Sequence, residues 1–114
     1  TELKMPAGAL LEQLAKAGRV APRAMFGGVG LYLDGLFFAL IDDDTLYFKA
    51  DDSSRARYER SESKPFRPFP DRSEQTMAYW QVPAEVLEDP DELAIWAREA
   101  LGVALAKRAR RARR

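Results

Sequence analysis

Apolar and polar positions follow one another in blocks that predict the elements in turn. Ala7, Leu10, Leu11 and Leu14 recur at helical spacing, so Ala7–Ala17 reads as a helix, with Gly18 placed to end it in the left-handed conformation. Val20-Ala21-Pro22 leads into two apolar runs, residues 24–33 and 36–42, joined by Asp34-Gly35. Asp-Gly between such runs predicts a hairpin, because a type I′ turn needs positive φ at both central residues. Asp42-Asp43-Asp44 marks a second turn before the run Thr45–Ala50, so residues 24–50 read as a three-stranded antiparallel meander. With two-residue loops at 34–35 and 43–44, Gly30 faces Ala39 and Gly28 faces Ile41. That register puts Gly30, Tyr32, Phe37, Ala39, Ile41, Leu46 and Phe48 on one side of the sheet. Leu31, Leu33, Leu36, Phe38, Leu40 and Tyr47 fall on the other. Both sides are largely apolar, which predicts helices over one and partial cover or an interface over the other. A one-residue slip would exchange every partner.

Asp51-Asp52-Ser53 supplies N-cap candidates for a short helix through about Arg60. Residues 61–75 are polar, hold three prolines and read mainly as loop. Thr76–Val82 is β-prone, and a short strand near Phe66-Arg67 is its candidate partner. A helical turn fits 83–88. The last helix is the best marked: Asp89 as cap, Pro90 at the first helical position and Glu92 at the third make a capping box. Leu93, Trp96, Ala97, Ala100, Leu101 and Ala104 form its apolar stripe. Gly102 weakens it by about 1 kcal/mol relative to alanine. The predicted order is α, three strands, α, two strands, α. That is an α+β two-layer domain with one antiparallel five-stranded sheet.

Composition narrows the chemistry. A chain of 114 residues that is 46% hydrophobic is one domain with a real core. It contains no cysteine and no histidine. Disulfides, thiolate metal sites and Ser-His or Cys-His nucleophile systems are therefore excluded. No apolar run reaches the roughly 18–20 residues of a transmembrane helix, and the first residues lack the pattern of a signal peptide. The zero net charge hides an asymmetry. The last eight residues, Lys-Arg-Ala-Arg-Arg-Ala-Arg-Arg, carry six positive charges, and the body without them stands at −6. The chain thus divides into a domain over residues 1–106 and a basic tail over 107–114. Lys107, Arg108, Arg110, Arg111, Arg113 and Arg114 are candidate phosphate contacts, with a frayed helix end or an acidic protein surface as alternatives.

Four of the seven glycines lie between Arg23 and Gly35. Gly27, Gly28 and Gly30 lack the spacing of a dinucleotide or P-loop site, and they run into a strand rather than opening a helix. They read instead as places where a helix or loop packs closely over Gly28 and Gly30, or where Gly27-Gly28 forms a β-bulge. A small-ligand pocket above them is the alternative. The acidic groups at Asp42–Asp44 and Asp51–Asp52 lack calcium-loop spacing and suit turns and caps. Ser53 and Ser54 have no nucleophile context. Arg23 and Lys49 are candidate anion contacts.

The stretch RAMFGGVGLYLDGLFFALIDDDTLYFKAD closely resembles the signature of the TfoX/Sxy N-terminal domain family. The matching residues are Arg23, Met25, Phe26, Gly27, Gly28, Gly30, Asp34, Gly35, Tyr47 and Lys49. The likeness continues through Tyr58, Pro65-Phe66, MAYWQVP and DPDELAIWAREA, over residues 8–101 or so. The resemblance implies an α+β fold like that of secretion chaperones, in the order α-β(3)-α-β(2)-α. It implies a stand-alone form of the N-terminal domain, since the longer competence regulators carry a second helical domain. It also implies a cytoplasmic, non-enzymatic role in transcriptional or competence regulation, with no cofactor, no metal and no catalytic residue. The expected partner is another protein, such as the transcription machinery, or a second copy, with no membrane involved. Phe38, Leu40 and Tyr47 are the expected interface residues.

Overall fold

Two type I′ turns organise the sheet: Asp34 and Gly35 at φ 52° and 78°, and Asp43 and Asp44 at 50° and 53°. In the computed structural model, which describes residues 4–25, 27–66 and 78–112, they join β2 (Gly28–Leu33), β3 (Leu36–Asp42) and β4 (Thr45–Lys49). Before β2 the chain doubles back at Gly27, whose φ is 80°. β1 (Ala21–Met25) therefore pairs antiparallel with β2, Arg23 opposite Gly30. The single run expected over 24–33 is thus two strands. β5 (Tyr79–Gln81) pairs with β4, completing a five-stranded antiparallel sheet in the order β1-β2-β3-β4-β5. Among the described residues, four strands precede the intervening helix and one follows it, where three and two were expected. Of the partner strand expected near Phe66, the described residues show the bridge Pro65 to Trp80, with the Phe66 amide donating to Tyr79 O. Phe26, Arg67, Thr76 and Met77 lie outside the described residues.

The register between β2 and β3 changes partway. Leu33 pairs with Leu36 and Tyr32 with Phe37, but Leu31 pairs with Ala39 and Gly30 with Leu40. Phe38 is the extra residue of this bulge, so Phe38 and Ala39 both turn inward. The expected pairings Gly30–Ala39 and Gly28–Ile41 are corrected by one residue. Between β3 and β4 the expected register holds, Asp42 opposite Thr45.

Helices cover one face. α1 (Ala7–Gln13) tightens into a 3₁₀ turn over Leu14–Ala17. Gly18 ends it at φ 142°, ψ −166°, a region open essentially to glycine alone, rather than in the expected left-handed conformation. α2 (Asp52–Arg60) is capped by Asp51, whose carboxylate accepts from the Ser53 and Ser54 amides, while Ser54 Oγ accepts from the Asp51 amide. α3 (Ala84–Leu87) is a single turn, and α4 (Pro90–Ala112) is the long helix lying across β3 and β4. Asp89 Oδ1 accepts from the Asp91 and Glu92 amides, but the box is not reciprocal. The Asp89 amide already donates to Val86 O, and Glu92 accepts from the Trp96 indole instead.

The core lies between sheet and helices. Leu31, Phe38, Phe48, Leu10, Leu14, Leu93 and Ala97 are fully buried there. Tyr58 meets Trp96 edge-on at 5.0 Å and Trp80 at 6.4 Å. Arg57 lies 4.1 Å above the Trp96 ring and pairs with Glu99, which ties α2 to α4.

Candidate functional site

The sheet face turned away from the helices carries the most distinctive chemistry. Strand parity places Arg23, Met25, Gly30, Tyr32, Phe37, Leu40, Tyr47, Lys49, Tyr79 and Gln81 on it. At its upper end the side chains form a row. The Arg23 guanidinium lies 5.5 Å from the Tyr32 ring centroid, Tyr32 stacks on Phe37 at 5.2 Å, and Phe37 meets Tyr79 at 5.5 Å. Lys49 Nζ closes the row, 5.5 Å from the Tyr79 ring. Tyr47 packs against Phe66 at 5.0 Å beside it. Tyr32, Phe37, Tyr47 and Phe66 stay partly exposed, while Tyr79 and Leu40 are buried. The row holds two cations and no carboxylate, although the body of the chain is acidic. Asp42 shares the parity of Leu40 but stands at the far end of β3, away from the row.

Of the expected interface residues, Leu40 and Tyr47 lie on this face. Phe38 does not: the bulge turns it into the core, fully buried and 5.9 Å from Phe48. The same bulge unites two groups that the simple register kept apart. Tyr32 with Phe37, and Leu40 with Tyr47, share one face. Phe66 and Tyr79 were missed by sequence reasoning, and the signal for Tyr79 was its cross-strand position opposite Lys49.

The glycine cluster is structural. A Cβ at Gly28 would stand 2.5 Å from Ile41 O, so the close approach is the β3 backbone rather than a helix or loop. At Gly30 the neighbours are Met25 Sδ at 3.1 Å and Phe37 Cε1 at 3.2 Å, side chains of the outer face. The space above both glycines is filled. Asp34 and Gly35 serve their turn, as does Gly27. Among the described residues, no three acidic side chains gather closely enough to hold a metal ion.

A second feature is the end of α4. Lys107, Arg108, Arg110 and Arg111 continue the helix as exposed turns, and Arg113 and Arg114 lie outside the described residues. Burial, and then the positive charges of Lys107 and Arg111, lower the Lys49 ammonium from 10.5 to about 8. The helix end and the rim of the aromatic row therefore share one electropositive field. A third feature lies inside: the Tyr58 hydroxyl and Arg57 Nε are buried without a hydrogen-bond partner among the described residues. Burial and the Glu99 charge push the Tyr58 phenol well above its usual range. Among the described residues, no helix is long and apolar enough to cross a membrane.

Comparison with known proteins agrees with the motif. The family model for the TfoX N-terminal domain matches residues 12–104. The chain is 31% identical over 86 residues to the DNA transformation protein TfoX1 of Aliivibrio fischeri, an alignment covering 75% of this chain and 41% of that protein. The chain thus spans less than half of the relative it matches. A match over this much of its length, through the two turns, the glycine approach and the capped α4, shows that the chain belongs to the TfoX N-terminal domain family.

Proposed function

We propose that this domain is a non-catalytic regulatory module that acts in transcriptional control, with competence the leading process, through protein–protein contacts on its outer sheet face. The relative's name, a DNA transformation protein, supports the process. The observation that carries the mode of action is the face itself: aromatic, partly exposed, rimmed by Arg23 and Lys49, and turned away from the helices. Aromatic and arginine side chains are the types that dominate protein interfaces. Tyr47 lies on this face beside Phe66, so a photoreactive amino acid at position 47, introduced in living cells, tests the reading. Discrete adducts to a component of the transcription machinery are expected. Adducts absent from position 47 and from position 32 alike would contradict it.

A second reading, nucleic-acid binding by the end of α4, is favoured by the joint field of Lys49, Lys107 and Arg111. It predicts binding whose log–log salt slope is on the order of −4 for four neutralised phosphates. Truncation after residue 106 should abolish that binding. Binding that survives truncation would rule this reading out.

A further inference from the structure

α4 has a second face that is largely uncovered; at its first turn Lys16 of the 3₁₀ turn pairs with Asp91. Leu93, Trp96, Ala97, Ala100, Val103 and Ala104 are buried, so the opposite side of the helix is set by Asp91, Ile95, Gly102, Leu105 and Ala109. Ile95 and Leu105, 59% and 49% exposed, are the exposed large hydrophobic residues of the described chain, and both fall on this one stripe. Nothing lies within 4 Å of a Cβ built at Gly102 between them, and Arg98 reaches aside toward Gly18. The stripe is therefore open from Ile95 to Leu105.

We propose that this outer face of α4 is a homodimer interface, with a second copy of the chain lying antiparallel across it. The proposal does not depend on the regulatory reading. Charge selects the occupant. The 23-residue helix is about 35 Å long. It begins with Asp91 and Glu92 and ends with Lys107, Arg108, Arg110 and Arg111. A nucleic acid laid along it would meet carboxylates over its first turns. A second copy in parallel would set like charges side by side. An antiparallel copy sets the acidic start of each helix against the basic end of the other.

The spacing suits a two-fold axis level with Ala100. Ile95 of each copy then comes level with Leu105 of the other, and Glu92 with Arg108 of its mate. Both contacts occur twice, as an isologous interface requires. Lys107 and Arg111 project on the side facing Lys49 and are left out of the contact.

The chain has no cysteine, so introduced thiols report cleanly. Sedimentation of the parent protein should show a dimer that weakens at high salt. The Ile95→Asp/Leu105→Asp variant should be monomeric with an unchanged far-UV circular dichroism spectrum, because both residues are exposed. Under mild oxidation the Ile95→Cys/Leu105→Cys variant should form covalent dimers rapidly. Ile95→Cys alone should not, because ten residues of helix hold the two thiols about 15 Å apart, beyond disulfide reach. A parent protein monomeric at high concentration, or a dimer that survives the double aspartate change, would overturn the proposal. So would fast cross-linking of the Ile95→Cys single variant, the signature of a parallel pair.

Discussion

Gly28 and Gly30 sit two residues apart on one strand, and the neighbours that meet a new side chain differ in kind. At Gly28 the obstacle is a backbone carbonyl 2.5 Å away, which can yield only by moving β3. At Gly30 it is the thioether of Met25 and the ring edge of Phe37, which can rotate. Gly28→Ala should therefore cost about 2 kcal/mol or more, in the range of overpacked cores, and Gly30→Ala clearly less. Urea midpoints of the two variants check this, and equal losses would refute the close approach. Lys49 gives a test by pH. Its ammonium titrates near 8 in the folded chain, against 10.5 when unhindered. Between those values the unfolded chain holds a proton that the folded chain has released, so stability rises with pH from about 8 to 10.5. Lys49→Met removes that increment. Its gain in Tm over the parent at pH 7 should shrink by pH 10.5, and a gain independent of pH would contradict the burial of this charge.

Among the elements, those fixed by local chemistry were the ones legible in the sequence. The two Asp-led turns, the Asp51 cap and the start of α4 needed only two to four adjacent residues, and each lies where those residues place it. Asp89→Ala should lower stability by about 1 kcal/mol, read as a shift in Tm. Glu92→Ala should act mainly through its bond to the Trp96 indole. What misled was the run Leu36–Ile41, apolar at every position. Alternation carries no information when both faces are apolar, so nothing in the run marks Phe38 as the residue that bulges. The split of β1 from β2 was hidden likewise, because a turn at Gly27 and a glycine-tolerant strand read alike.

For the whole molecule, the sheet separates a buried face from an outward one. One face buries the core under α1 and α4, and the other presents Tyr32, Phe37, Tyr47 and Phe66 between two cations. Part of that outer face was readable: Leu40 and Tyr47 as interface residues, and Arg23 and Lys49 as candidate anion contacts. The rest was assembled by the bulge and by the return of the chain through Phe66 and Tyr79, contacts between residues far apart in sequence. Tyr47 is partly exposed, so Tyr47→Glu should leave the fold standing while placing a carboxylate beside a row that has none. The most direct measurement is the transcript profile of a host strain whose sole copy carries Tyr47→Glu, beside the wild type and a deletion strain. Regulation through this face predicts that the variant reproduces the transcript changes of the deletion while the protein accumulates in folded form. A wild-type profile from that folded variant would contradict it.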